Sequence, residues 1–353
     1  MLFLPTMAHG SDLRSMVRGW TDTHGVRLEP DVRLDRVALN NSRALAELSG
    51  PVPDGASTYL GFLLEKEGVT DAVVHGEAIV VGDRPLSDEV GALLARRLTH
   101  DHFTHFGIAR SAPTRHHPRG ILTVVLVRRL VQLEIRHGRR RYHLCLRKKA
   151  RRPTLFVTDP GGQLTERVFS PNHPCLPLTP TRPGRYQVEI MVDGSHGPEV
   201  AALFPLYVGA SAPSRPTHKL YPLTNREHVE IRLMHLINRA RRARGLSPLK
   251  PSGRLAAVAR DHSHDMLVGG YFGHRSPTQG DLDQRLVQAG IRCQQASENL
   301  AIAVGPGRAH DSLMASPSHR RTLLDPASTL VGVGVATDPS RQLLYVTQIL
   351  ARP

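Results

Sequence analysis

Four short apolar segments in the first part of the chain return, in the same order, in its last part. This constrains the fold more than any single motif does. Leu34-Asp35-Arg36-Val37-Ala38 matches Leu255-Ala256-Ala257-Val258-Ala259 in its apolar positions, and Ala78-Ile79-Val80-Val81-Gly82 parallels Ala301-Ile302-Ala303-Val304-Gly305. Phe106-Gly107-Ile108-Ala109 parallels Val331-Gly332-Val333-Gly334-Val335-Ala336. Ile121-Leu122-Thr123-Val124-Val125-Leu126 resembles Leu343-Leu344-Tyr345-Val346-Thr347-Gln348. A diverged internal duplication has this form, and chance similarity of helix and strand patterns is the alternative. With 353 residues, the chain is long enough for two or three domains.

Between the repeated segments the pattern changes. Near Arg128-Arg129-Leu130 helical spacing gives way to short alternating runs, which predict an all-β module over 130–210. Leu133-Glu134-Ile135, a turn at His137-Gly138 and Tyr142-His143-Leu144-Cys145-Leu146 predict a hairpin. Leu155-Phe156-Val157, Val168-Phe169, Tyr186 to Val192 and a run from Val200 to Val208 predict further strands of a small β-sandwich. The strand entry Pro183-Gly184-Arg185-Tyr186 generically resembles immunoglobulin-like accessory modules. A Pro/Ser-rich linker follows over 211–223. The arginines and lysines among Arg136, Arg139, Arg140, Arg141, Arg147, Lys148, Lys149, Arg151 and Arg152 are read either as an anion-binding stripe or as an edge guarded against strand pairing.

The formal charge of +15 invites a nucleic-acid reading. The basic residues are mostly Arg and are spread along the chain, and no helix-turn-helix, zinc-finger or RNA-recognition signature accompanies them, so specific nucleic-acid binding is not expected. The charge favours contact with an anionic polymer, lipid or other cell-envelope component. No apolar run reaches the length of a membrane span. Met1 to Pro5 is apolar but shorter than the core of a secretory signal and lacks its basic start, so no export signal is evident. Three cysteines exclude a disulfide-built framework, and whether Cys145 and Cys175 pair stays open.

The last part of the chain, 224–353, carries the chemistry. Thr224 and Glu227 form a capping box that opens an amphipathic helix with Val229, Leu233, Leu236, Ile237 and Ala240 inward. Arg241, Arg242 and Arg244 lie in its last turn, where cations suit the helix dipole, and Gly245 ends it. A second helix carries Leu255, Val258, Ala259, His262 and Met266 on one face, which favours a packed core role for His262. Ser316-Pro317 starts a short helix, with Ser316 as N-cap. His319 falls in its first turn, where the positive helix end keeps imidazole neutral. The spacing of His100, His102 and His105 matches no standard zinc pattern.

Asn238 through Gly245-Leu246-Ser247-Pro248-Leu249, Ala259 to Met266, Phe272-Gly273-His274-Arg275-Ser276-Pro277, Glu298-Asn299-Leu300-Ala301, and Ser316-Pro317-Ser318-His319-Arg320 follow one another in a fixed order. Together they resemble the bacterial form of the CAP (SCP-like) superfamily, that of cysteine-rich secretory proteins, antigen five and plant pathogenesis-related proteins. The resemblance implies an α+β fold: an α–β–α sandwich over 224–353, with 12–129 as a degenerate CAP-like copy. The segment Val74-His75-Gly76-Glu77 only loosely resembles the Glu-Asn box, and no Phe-x-His-x-Ser-Pro loop precedes Gly68. The resemblance also implies an extracellular or envelope location and a cleft formed by His274, Glu298, His319, Ser276 and Asn299. In that cleft His274 and His319 would be the metal ligands for zinc or another divalent cation. The family's fourth, acidic cleft member has no counterpart in the motifs. The expected function is binding of a lipid, glycan or wall polymer, with or without a divalent metal. The alternative is a metal-assisted or acid/base hydrolase using His274, Glu298 and His319.

Overall fold

The computed structural model describes residues 10–48, 57–98, 103–137, 141–147, 150–214, 226–339 and 343–353. Met1 to Pro5, Thr224, His100, His102, Arg139, Arg140, Lys148 and Lys149 lie outside the described residues. The chain forms two compact units, Met1–Gln132 with Ser211–Lys219, and Leu133–Ala210 with Leu220–Pro353. Among the described residues no helix is long and apolar enough to cross a membrane.

In the first unit, α1 (Gly10–Thr23), α2 (Val32–Ala46), α3 (Ser57–Lys66) and α4 (Leu86–Arg97) cover a sheet. Its strands are β1 (Glu29–Pro30), β2 (Val73–Val80), β3 (His105–Arg110) and β4 (Ile121–Arg128), in the order β1-β3-β4-β2. The near-continuous apolar run of β4 follows from burial on both faces. Leu122, Val124 and Leu126 pack with Leu13 and Val17 of α1 and Val90, Leu93 and Leu94 of α4. Val125 and Val127 pack with Leu34, Val37 and Ala38 of α2 and Leu60 and Leu63 of α3. The result is three layers.

The second unit begins with two antiparallel sheets. One joins β5 (Leu133–His137), β6 (Tyr142–Leu146) and β9 (Cys175–Leu178); the other joins β7 (Thr154–Thr158), β8 (Leu164–Val168), β10 (Gly184–Gly194) and β11 (Gly197–Val208). Cys145 and Cys175, register partners on β6 and β9, form a disulfide, which settles their pairing. The Tyr186 hydroxyl donates to the Arg182 carbonyl at 3.0 Å and accepts from the Thr181 amide at 3.1 Å, the tyrosine corner of many β-sandwiches. Among the described basic residues of the module, Arg136 and Arg147 both pair with Glu134, and Arg152 pairs with Asp193. Part of the charge that an anion-binding stripe would use is therefore neutralised locally.

The rest of the unit contains α5 (Arg226–Arg242), β12 (Lys250–Pro251), α6 (Gly253–Gly269), α7 (Leu282–Gln288), β13 (Gln295–Ala303), α8 (Pro306–Ala315), α9 (Pro317–Leu323), β14 (Leu330–Asp338) and β15 (Leu343–Arg352). Alternate residues of β15 bury opposite faces. Leu344, Val346 and Leu350 pack with α5, α8 and α9, while Ile349 and Ala351 pack with α6 and α7. This is the α–β–α sandwich. Arg241, in the last turn as expected from the helix dipole, is 1% exposed. Its guanidinium donates to the carbonyls of Ser247, Leu323 and Asp325, each at 2.9 Å, and ties α5 to the end of α9.

The sheet order β12-β14-β15-β13 repeats that of the first unit, including the short parallel first strand. Close contacts repeat too. A Cβ on Gly107 would lie 2.1 Å from the Leu34 carbonyl carbon, and one on Gly332 would lie 2.3 Å from that of Leu255. Ser42 bonds the Ala109 carbonyl and the Thr123 hydroxyl, as Ser263 bonds the Gly334 carbonyl and the Thr347 hydroxyl. These bonds match Thr123 with Thr347, whereas the apolar pattern sets Thr123 beside Tyr345. A slip of two residues returns every side chain to the same face of a strand, so an apolar pattern cannot detect it. Because helix backbone cannot retreat as a side-chain tip can, Gly107→Ala and Gly332→Ala are each expected to cost about 2–3 kcal/mol. Urea unfolding of the two variants measures this, and a loss under about 0.5 kcal/mol in either would mean that the helix yields.

Candidate functional site

The candidate site draws on four pieces of the second unit. The loop after α6 carries His274, β13 carries Glu298, α7 carries Arg285 and α9 carries His319. Gly270, at φ 63°, ends α6 in the left-handed conformation that a glycine accepts without strain, and the chain turns from there into the loop. His262, fully buried on α6, holds that loop through a 3.0 Å bond between its Nε2 and the Gly273 carbonyl, which is the core role expected of it.

Glu298 lies beneath His274, with its side chain 2% exposed. His274 Nδ1 is 2.9 Å from its Oε1, and Arg285 Nη2 is 2.6 Å from its Oε2. Arg285 also donates through Nη1 to the carbonyls of His274 and Gly280, at 3.0 and 2.9 Å. Burial alone would raise the Glu298 pKa, but the His274 hydrogen bond and the Arg285 charge outweigh it and hold the carboxyl below its ordinary range. Nothing in the motif reading pointed to Arg285. The available signal is an Arg on the inner face of a short helix, between Leu282 and Leu286, which both pack into the core.

His319 sits in the first turn of α9 behind the cap Ser316, with Nδ1 2.6 Å from the Ser316 hydroxyl. Its pKa is pushed down to about 3, first by burial and then by the neighbouring His274. The ring is neutral as expected, but burial is the main cause, not the helix end. The side chains of His274 and His319 keep 26% and 14% exposure, and each ring is fixed through Nδ1, which directs Nε2 away from that bond.

Two other expected cleft residues play supporting parts. Ser276 is 3% exposed, and its hydroxyl accepts from the amides of Thr278 and Gln279, so it folds the loop. Asn299 is 1% exposed and donates to the His319 carbonyl at 3.1 Å, so it places α9.

One wall comes from the β-module. The β10–β11 turn lies against the His274 loop: the Arg275 amide donates to the His196 carbonyl at 2.9 Å, and the His196 and Tyr271 rings stand 4.9 Å apart. Glu189 of β10, 0% exposed, accepts from the Ser318 amide at 2.8 Å and from the Ser316 hydroxyl. Arg321 of α9 pairs with Glu166 at 2.9 Å and lies over the Phe156 ring. Burial raises the Glu189 pKa against the opposing bonds from Ser316 and Ser318.

The three-residue set His274, Glu298 and His319 does not fit a divalent cation. Both oxygens of Glu298 are engaged, and among the described residues no group of three His, Cys, Asp or Glu is arranged to hold a metal. Among its described residues the first unit has no counterpart of the Glu298 site. Strand pairing sets Gly76 where Glu298 stands, and a Cβ on Gly76 would lie 2.3 Å from Leu60 Cδ2, so Leu60 fills that space. His105 there lies 3.4 Å from Glu29 on the short β1 edge.

Residues 234–350 match the model of the Cysteine-rich secretory protein family, CAP. The uncharacterized protein YkwD of Bacillus subtilis (strain 168) is 36% identical over 106 residues, 30% of this chain and 41% of that protein. The uncharacterized membrane protein YlbC of the same organism is 37% identical over 107 residues, 30% of this chain and 31% of that protein. The chain thus spans less than half the length of these curated relatives. Among solved structures, an extracellular protein containing a SCP domain from Bacillus anthracis str. Ames is 21% identical. That match covers 64% of this chain and 86% of the other, with a TM-score of 0.34. The family match makes residues 234–350 of this chain a CAP domain, and the ordered motifs that resemble its bacterial form fall within that span.

Proposed function

We propose that the CAP cleft binds a hydroxyl-rich glycan of the cell envelope, outside the cytoplasm, through the two imidazoles His274 and His319. The observation that carries this reading is the fixed orientation of both rings. A carboxylate only accepts hydrogen bonds, so His274 must donate to Glu298 from Nδ1, and Nε2 is then the acceptor nitrogen of the neutral form of the ring. His319 is neutral. Two acceptors in one cleft suit a ligand rich in hydroxyl donors. Phe272, 38% exposed beside His274, adds an apolar surface on which a sugar ring can rest. The Cys145–Cys175 disulfide favours an oxidising compartment. The first unit reads as a CAP-like copy whose cleft is filled, and it serves as a scaffold.

A catalytic role is less well supported. A general base works best with a pKa near the operating pH, whereas His319 is held at about 3. Glu298 is tied up as an ion pair. Two imidazoles are also fewer than the three protein ligands usual for catalytic zinc.

Retention on insoluble peptidoglycan, at about 0.5 M salt to screen the basic surface, tests the reading. The full chain is expected to be retained in EDTA, and His274→Ala/His319→Ala to lose at least roughly tenfold in affinity, the scale of one lost hydrogen-bonded contact. Equal retention of both proteins would refute it. Zinc titrated by calorimetry is expected to give no saturable one-to-one heat. A saturable site lost in the double variant would replace this reading with a metal-dependent one.

A further inference from the structure

We infer that the β-module supplies the acidic cleft member missing from the CAP motifs: Glu189 acts through Ser316 as a positioning residue that sets the tautomer of His319. The inference rests on the cleft reading above, but its test does not depend on any ligand being bound.

Glu189 stands in the middle of β10, whose even-numbered residues Tyr186, Val188, Ile190 and Val192 are buried apolar side chains. Glu189 points the other way and would ordinarily meet water. It is instead 0% exposed, covered by α9. A carboxyl is not buried without a reason, since desolvation costs several kcal/mol unless the oxygens are satisfied. Three donors satisfy it: the Ser318 amide at 2.8 Å, the Ser318 hydroxyl at 3.1 Å and the Ser316 hydroxyl.

The Ser316 hydroxyl has one hydrogen, and it is given to Glu189. The Ser316 oxygen can therefore only accept from His319 Nδ1, 2.6 Å away. The relay runs from His319 Nδ1–H to Ser316 Oγ–H to Glu189 Oε1. It leaves Nε2 of His319 unprotonated, as an acceptor. Glu298 accepts in the same way, directly, from Nδ1 of His274. The two imidazoles are thus set alike by two buried carboxylates, one from the CAP domain and one from the β-module. Without Glu189, the Ser316 hydroxyl is free to turn and donate to Nδ1, which puts the proton on Nε2 and closes the acceptor.

The test uses the full chain labelled with 15N-histidine, with the two ring nitrogens of His319 read by NMR near neutral pH. Wild type is expected to show one tautomer, Nδ1–H. Glu189→Gln and Ser316→Ala are expected to give a mixture with at least about a fifth of Nε2–H, because no partner then dictates the proton's place. Ser316→Thr keeps the hydroxyl and the helix cap and restores the single tautomer. A merely structural role for Glu189 moves stability and leaves the tautomer alone. An Nε2–H signal in wild type overturns the inference, as does an unchanged Nδ1–H tautomer in folded Glu189→Gln or Ser316→Ala. If Glu189→Gln does not fold, Ser316→Ala decides. That variant loses the helix cap and one donor to Glu189, while both bonds from Ser318 to Glu189 remain.

Discussion

Arg285→Met removes about 3–5 kcal/mol of stability from the CAP domain, because it leaves the Glu298 carboxylate buried without its cation. The guanidinium is 3% exposed and joins three things at once: Glu298, the His274 carbonyl and the Gly280 carbonyl. Arg285→Lys keeps the charge but loses the planar fork, and it is expected to recover less than half of the loss. The pairing itself is read from a double variant. Arg285→Met with Glu298→Gln should be more stable than Arg285→Met alone, since the amide needs no counter-charge. Urea unfolding of wild type, Arg285→Met, Arg285→Lys, Glu298→Gln and the double variant measures all of this. A double variant as unstable as the sum of the two single ones would mean that Arg285 acts through its carbonyl bonds and not through Glu298.

Acid is expected to weaken the same domain through His319. The folded pKa, about 3, lies below the ordinary value of 6.5. The unfolded chain therefore takes up a proton first as pH falls. The stability contribution is complete above about pH 6.5 and is lost progressively down to about pH 3, with a total on the order of 4 kcal/mol. The groups facing the ring are His274, which opposes its charging, and Glu189 beyond Ser316. His319→Asn should flatten the difference between pH 7 and pH 4 by most of that amount. Buried His262, with its pKa also lowered, leaves a residual slope in the variant. An unchanged slope in His319→Asn would show that the ring charges freely in the folded protein. Glu298 has its pKa lowered, so its share is present above its unfolded value and is lost as pH falls through the depressed one.

The CAP domain was legible because its loops and caps carry their own chemistry. Ser316-Pro317 marks a helix start in any context, and the sheet residues alternate cleanly between two buried faces. His274, Glu298 and His319 were legible as a constellation: His274 bonds Glu298, and His319 stands close enough to His274 to feel its charge. What escaped was what lies under and beside them. Ser276 and Asn299 flank the site in sequence, but their hydrogen bonds face the backbone, which no motif reveals. Arg285 looks like one more charge on a basic chain until α7 is packed. Glu189 falls on a polar position of an alternating strand, and only the docking of α9 onto that face brings it to His319. In the first unit, order and apolar spacing placed the segments, while the register of β4 against β15 needed the hydrogen bonds of Ser42 and Ser263.

The account stands or falls on whether the two imidazole acceptors are what the ligand meets. The most direct measurement follows the Nε2 signals of His274 and His319 in the 15N-histidine-labelled full chain while soluble peptidoglycan fragments are added. The account predicts that both signals move together and saturate, as expected for nitrogens that accept hydroxyl donors, while His262 beneath the loop stays in place. Stationary signals at both rings while the fragments bind elsewhere would contradict it.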